Sequence, residues 1–367
     1  EPSARQPFIN TPAFRSASFS PLAYLPQAAG IAMARQLGGG VFEQLIAGRD
    51  LDGDTAYAMF CDVLKNEQPD LQQGAFLAAL VAKGETTDEL YAAWRAIDEI
   101  DTVHVAPMVK TPICENSGTG NDGMNTINVS TVAAIVAAAG GVVMARHGAR
   151  ALSSRCGTVD LVEALDIAVE CDANTVGKSI DNAGIGIFNG MSPKIHPAAL
   201  GRILSQIRLG STLNIAASLA HPARPKLAVR GVYHPDMIGK VAELMQRIGF
   251  TRAMIICGED AQTGRFMDEF SPCGTSHVAL LTPEGISTLR VEPEEVGITR
   301  STLADITWNG PLAQEQARFL AILKGQGEKA LEDFVCLNAA AIFVVAGRAT
   351  TLRQGVTAAR EIVASGD

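Results

Sequence analysis

Charge is sparse in this chain. Asp, Glu, Lys and Arg make up 19% of its 367 residues against 47% apolar residues, a balance that disfavours a disordered chain and leaves enough length for one large core or two smaller ones. Long apolar runs are missing too. The most apolar stretch, Val132–Ala145, is about fourteen residues with two glycines, short of the roughly twenty that a bilayer requires. There is no excess of base. Thirty Lys and Arg against thirty-nine Asp and Glu give a formal charge of −9, so nucleic acid is an unlikely partner and would need a local patch working against the overall field. The seven cysteines are odd in number, scattered, and form no CxxC pair. They predict reduced packing residues in a cytoplasmic protein rather than a disulfide framework. The six histidines stand alone and three precede proline (His196, His221, His234), which leaves no ligand spacing typical of zinc.

Glycine is what the chain does have. Its thirty-five glycines gather in places such as Ser117–Gly123 and Gly184–Gly190, as expected where backbone must approach something closely. The first twenty-five or so residues mix Pro, Ser, Ala and Phe without period and read as an arm lacking the continuous apolar core of a signal peptide. From about Ile31 to Ile100 the pattern is helical. Ala56, Met59, Phe60, Val63 and Leu64 share one helix face behind the caps Asp52 and Asp54, a second helix near Leu71–Ala82 ends at Lys83-Gly84, and Thr86 to Glu89 has capping-box spacing. Past Pro107 the rhythm becomes α/β. Strands are expected near Thr111–Cys114, Gly141–Ala145, Lys226–Val232, Arg252–Cys257 and Val278–Leu281, with helices over Thr131–Ala139 and Pro235–Ile248, an alternation best met by parallel strands with covering helices. Residues Ala173–Gln206 turn helical and Gly-rich again and are expected to fold back on the first helices.

Three clusters carry chemistry. The run from Ser117 to Thr131 places a Gly-rich turn between a strand and a helix, which aims backbone N–H groups and a helix N-terminus at one spot, with Thr119, Asn128, Ser130 and Thr131 as further donors. It is not a Walker loop, and Gly118, Gly120 and Gly123 lack the later acidic residue of a dinucleotide site. Read alone it is equally a tight turn with a capped helix. Arg146-His-Gly-Ala-Arg150 follows an expected strand end, where open α/β sheets bind ligands. Two arginines suit phosphate, although surface arginines are often merely solvated. Asp268-Glu269 follows an apolar strand and a polar loop. Such a pair can bridge divalent cations that are also bound to substrate phosphates, or simply solvate a surface.

In this order the clusters resemble the anthranilate phosphoribosyltransferase family, from about residue 31 to the C-terminus. The family's Gly-Thr-Gly-Gly-Asp stands as Gly118-Thr-Gly-Asn-Asp122, its Asn-x-Ser-Thr as Asn128-Val-Ser-Thr131, and its Lys-His-Gly-Asn as Arg146-His-Gly-Ala149. Its Ser-Ser-x-x-Gly-Ser/Thr-x-Asp matches Ser153–Asp160, and its acidic metal pair matches Asp268-Glu269. The resemblance implies an α/β fold: a small N-terminal helical domain plus a larger α/β domain with a central, mostly parallel sheet. The expected divisions are an arm over 1–25, a helical domain from 26–106 and about 173–214, and a phosphoribosyl-diphosphate-binding domain from 107–172 and 215–367.

The resemblance also implies function: Mg²⁺-dependent transfer of phosphoribose from phosphoribosyl diphosphate to an aromatic amine, anthranilate first, without a covalent enzyme nucleophile. Gly118, Thr119, Gly120, Asp122, Asn128, Ser130, Thr131, Arg146 and Thr158 are then expected to hold phosphoribosyl diphosphate. Ser130, Asp268 and Glu269 are expected to organise two Mg²⁺ ions, and His147, Ala149, His196 and Gln206 to meet the acceptor. A cytoplasmic homodimer joined through the helical part is expected. Departures concentrate at the acceptor. The family's asparagine is Ala149 and its carboxylate-binding arginine falls on Gln206, with Arg202 or Arg208 as substitutes. Other readings are transfer to a different aromatic or heteroaromatic amine, a pyrimidine-nucleoside phosphorylase, or a non-catalytic nucleic-acid-binding or scaffold member of the fold.

Overall fold

The computed structural model describes residues 40–120, 122–150, 157–207, 209–308 and 310–366. The expected N-terminal arm, Asn121, Ser153 and Arg208 therefore lie outside the described residues. The described residues open with four helices, α1 (Val41–Ile46), α2 (Gly53–Leu64), α3 (Asp70–Lys83) and α4 (Thr87–Ile100). Their starts are written locally. The Asp52 side chain accepts from the Thr55 N–H at 2.9 Å, and Thr86 with Glu89 forms a reciprocal capping box. The apolar face read on α2 is buried at Ala56, Met59, Phe60, Val63 and Leu64.

Two later helices, α8 (Leu200–Gln206) and α9 (Thr212–Leu219), complete this layer. Leu200, Ile203, Leu204, Leu213 and Ala216 enter the same core as Phe60, Phe76 and Leu77. The Trp94 indole N–H donates to the Leu219 carbonyl at 3.1 Å, tying α9 to α4.

The rest is one mixed sheet covered on both faces. Its strands are β1 (Cys114–Gly118), β2 (Met144–Gly148), β3 (Ile185–Asn189), β4 (Leu227–Gly231), β5 (Arg252–Asp260), β6 (Arg265–Met267), β7 (Ser276–Thr282) and β8 (Gly285–Val291). They run in the order β3-β2-β1-β4-β5-β7-β8, with β6 paired to β5. The first five are parallel, and β6, β7 and β8 join by antiparallel pairing. Every residue of β4 is buried, as suits a strand covered on both faces. Leu227 and Val229 meet the core built with α5 (Val129–Ala139), α13 (Lys329–Val345) and α14 (Leu352–Ser365), while Ala228 faces the core of α10 (Met237–Ile248).

Two expectations are corrected. Residues 173–214 do not all join the helical layer. α7 (Ala173–Ala183) packs Ala173, Val176 and Ile180 on Ala145 and Phe188 of the sheet, and Ile185–Asn189 is an edge strand. The strands expected over Thr111–Cys114 and Gly141–Ala145 instead lie three residues later, as β1 and β2. Polar side chains are tolerated inside these buried strands because they satisfy one another, Arg146 with Asn116 and Ser117 with Glu115.

Candidate active site

At the carboxyl ends of the parallel strands a cleft of about 420 Å³ opens beneath the helical layer. Gly118, Thr119, Gly120, Asp122, Asn128 and Ser130 border it from the turn between β1 and α5. Arg146, His147, Ala149 and Thr158 border it from β2 and the start of α6 (Thr158–Ala164), and Asp268 with Glu269 from the loop after β6. The three sequence clusters thus share one cavity.

Glycine is required where these walls touch. A Cβ on Gly118 would lie 1.9 Å from Asp268 Oδ2, and one on Gly231 would lie 1.5 Å from the Asp268 carbonyl oxygen. Close approach brings the Gly120 N–H to Asp268 Oδ2 at 2.7 Å. The positive φ of Gly120, 67°, turns the chain at that point.

The Asp122, Asp268 and Glu269 carboxylates each offer an oxygen within 4.8 Å of the others. Burial, then the neighbouring Asp268 charge, pushes Asp122 up to about 7, and burial drives Glu269 well above the usual carboxylate range. Glu269 Oε2 is sealed from solvent without a hydrogen-bond partner. Three crowded carboxylates with an orphaned oxygen are a donor set that fits a hard divalent cation.

Arg146 is buried in β2 rather than in the loop after it. Its Nη1 donates to Asn116 Oδ1 at 3.1 Å and its Nη2 to Thr158 Oγ1 at 3.0 Å, while Nε has no partner. Burial lowers its pKa to about 10, which leaves the guanidinium charged at neutral pH. Thr131 lies beneath the surface, its hydroxyl 2.7 Å from Asn128 Oδ1 and 3.3 Å from Thr158 Oγ1. It does not border the cleft. At the cleft wall His147 Nε2 is 3.0 Å from His196 Nε2, and His196 Nδ1 bonds the Asp101 carbonyl behind it.

With this geometry in place, the chain can be compared with known proteins. Residues 110–367 match the glycosyl transferase family α/β domain, and residues 40–99 match its helical bundle domain. The anthranilate phosphoribosyltransferase of Desulfotalea psychrophila is 33% identical over 326 residues, 88% of this chain and 91% of the relative. The chain belongs to the anthranilate phosphoribosyltransferase family. The family's enzyme from Methanosarcina acetivorans is 36% identical over 328 residues, covering 88% and 85% of the two chains. The crystal structure of the Thermus thermophilus enzyme superposes with a TM-score of 0.79 at 33% identity, over 89% of this chain and 95% of that one. The Saccharomyces cerevisiae enzyme, solved in complex with phosphoribosyl diphosphate and Mg, shares the fold at 21% identity and a TM-score of 0.75, over 93% and 95% of the two chains.

Two residues expected at the family's acceptor site stand away from the cavity. Gln206 is exposed and does not border the cleft. It ends α8, and Leu204 two residues earlier is buried, so the 200° turn between them carries Gln206 to the opposite helix face. His196 supports His147 from behind and does not border the cleft either. Arg202 is committed to the helical layer, donating to the Val63 carbonyl at 3.1 Å and Gln73 Oε1 at 3.2 Å. Ser117 and Gly190, which lie in the glycine-rich segments but were given no site role, border the cleft too, as do Met191 and Ser218, which sequence reasoning missed. It also missed Glu315, which accepts from the Asn128 N–H at 3.2 Å and caps α5 from α12 (Leu312–Leu323). The signal for Ser117 was present: Glu115-Asn-Ser117 is a polar run directly ahead of the Gly-rich turn and after the apolar Ile113-Cys114.

Proposed function

We propose that this chain transfers phosphoribose from phosphoribosyl diphosphate to the nitrogen of an aromatic amine, with anthranilate as the first acceptor. The observation that carries this reading is the meeting of the Gly-rich turn, Arg146 and three carboxylates in one cleft. Gly118, Thr119, Gly120, Asn128 and Ser130 surround the diphosphate and ribose phosphate with N–H and hydroxyl donors, Arg146 adds a fixed positive charge, and Thr131 and Thr158 hold that wall. Asp122, Asp268 and Glu269, with the Ser130 hydroxyl, would hold two Mg²⁺ ions. Bound there, the ions would neutralise charge on the departing diphosphate.

The C–O bond to diphosphate breaks to leave an oxocarbenium-like carbon; the amine nitrogen bonds that carbon directly and gives up one proton, which the released diphosphate can take. No enzyme nucleophile is needed; His147 borders the cleft, but its Nε2 is engaged with His196 Nε2 at 3.0 Å. Leu204, Asn214, Ala217 and Ser218 of α8–α9 border the cleft opposite the strand ends, so both substrates would sit between the sheet and the helical layer. No helix among the described residues is long and apolar enough to cross a membrane. By its likeness to the family we propose a cytoplasmic homodimer joined through the helical layer.

A second reading, transfer to a different aromatic or heteroaromatic amine, is favoured by the acceptor wall. Ala149 offers no polar side chain there, Gln206 faces solvent, and Arg202 is engaged elsewhere. Acceptor-dependent release of diphosphate, measured with phosphoribosyl diphosphate, Mg²⁺ and a panel of aromatic amines, separates the two. Release with anthranilate supports the first reading, release only with another amine the second. Absence of release with every amine sinks both.

A further inference from the structure

Behind the cleft lies a buried ion pair that the phosphate site does not use. Glu115 of β1 and Arg230 of β4 are each 1% exposed, and Glu115 Oε2 lies 3.5 Å from Arg230 Nη2. The pair reaches the cleft through two serines. Ser117 stands two residues beyond Glu115 on the same face of β1, is the register partner of Arg230, and donates its hydroxyl proton to Glu115 Oε1. Ser218 of α9 receives Arg230 Nη1 on its Oγ at 3.1 Å and Nη2 on its carbonyl at 3.0 Å. Both serines border the cleft.

The proton inventory of these hydroxyls is decisive. A serine has one proton to donate and two lone pairs to offer. Burial raises the Glu115 pKa while the Arg230 guanidinium 3.5 Å away favours the carboxylate; the bond runs from the Ser117 hydroxyl to Glu115 Oε1, and a carboxylate so paired only accepts, which turns the Ser117 proton inward. Ser218 spends its proton on the Ile215 carbonyl at 2.9 Å and one lone pair on Arg230. Toward the cleft both serines therefore present lone pairs and no proton. Their complement is a ligand group rich in N–H.

We infer that Ser117 and Ser218 accept the two N–H bonds of the acceptor's primary amine, with Glu115 and Arg230 as positioning residues that keep both hydroxyl protons turned away from the cleft. This rests on the transferase reading and deepens it. With both N–H bonds engaged, the nitrogen lone pair is left free to face the ribose carbon. The ligand class is a primary aromatic amine, and a secondary N-alkyl amine, with one N–H, fills half of the arrangement.

The test compares steady-state kinetics for a primary aromatic amine and its N-methyl analogue. It uses the wild type, Ser117→Ala, Ser218→Ala, Ser218→Thr and the paired Glu115→Gln/Arg230→Met. The pair is changed together because a lone buried charge would destabilise the fold. Each alanine variant is expected to raise KM for the primary amine about two- to tenfold, leave KM for phosphoribosyl diphosphate unchanged, and narrow the preference over the N-methyl analogue. Ser218→Thr, which keeps the hydroxyl, restores that preference. The paired variant keeps an amide oxygen for Ser117 and the Ile215 carbonyl for Ser218, and is expected to raise the amine KM less than either alanine variant; a larger rise would overturn the assigned hydroxyl directions. Unchanged amine KM and unchanged preference in both alanine variants would overturn the inference. Wild-type enzyme that releases diphosphate with no primary aromatic amine would overturn the transferase reading, and this inference with it.

Discussion

The backbone N–H of Gly120 donates to the carboxylate of Asp268 at 2.7 Å across 148 positions of sequence. This one bond joins the Gly-rich turn to the acidic pair, so the groups assigned to diphosphate and those assigned to metal are parts of a single surface. Two expectations follow directly from the way that surface is built.

Asp268→Asn with Glu269→Gln removes the charges that would hold the cations. Turnover is expected to fall by at least about a hundredfold, the order seen when a preorganised electrostatic contact is lost. The fold should survive, because an asparagine oxygen still accepts from Gly120. Chelation of Mg²⁺ should silence the wild type to a similar degree. Turnover in the double variant near that of wild type would remove the metal-holding role.

Gly231→Ala tests the close approach of β4 to the acidic loop. The added methyl carbon would sit 1.5 Å from the Asp268 carbonyl oxygen, and backbone cannot yield as a side chain tip can. Thermal or urea unfolding should show a loss of roughly 1–3 kcal/mol, with activity falling too as Asp268 is displaced. Equal stability of the two proteins would contradict the packing described.

Much of this was legible in the sequence, because backbone demands leave residue-type traces. The cluster from Gly118 to Thr131, the Arg146 segment and Asp268-Glu269 each need particular residues at fixed spacing, and all three border one cleft. Helix starts at Asp52 and Thr86 were legible because capping is local. The ends of β1 and β2 were not, since Arg146 and Glu115 break the apolar pattern of a buried strand and are satisfied by partners distant in sequence. Residues Ile185–Asn189 were misread as helical because their place at the sheet edge is set by pairing with β2 rather than by local propensity. Gln206 was carried over by position alone, and the phase of a seven-residue helix decided where it points.

Gln206→Arg should therefore leave KM for anthranilate unchanged within about twofold, since a surface substitution remote from the ligand has little to act on. A fall of tenfold or more would return this position to the acceptor site.

Acid should loosen the fold through its buried histidines. His221 donates from Nε2 to the Ala145 carbonyl at 3.0 Å and accepts the Ala223 N–H on Nδ1 at 3.0 Å, an arrangement available only to the neutral ring. Burial lowers its pKa from 6.5 to about 3, and His147 and His196 are lowered for the same reason. The unfolded chain thus binds more protons than the folded one between these values. Stability is full above about pH 6.5 and is lost as pH falls toward 3, by up to about 1.4 kcal/mol per pH unit for each histidine. Urea unfolding at pH 7.5 and pH 5 should show this loss, and His221→Gln should reduce it. A flat profile over that range would contradict the neutral, buried assignment.

The central claim is tested most directly by identifying the product. Purified protein incubated with phosphoribosyl diphosphate, Mg²⁺ and anthranilate is analysed by mass spectrometry for the N-phosphoribosyl amine, alongside the diphosphate released. The expected result is one equivalent of product for each equivalent of diphosphate, dependent on Mg²⁺ and lost in the Asp268→Asn/Glu269→Gln variant. Diphosphate release that yields only ribose 5-phosphate, or no N-phosphoribosyl product from anthranilate or any other aromatic amine offered, would contradict it.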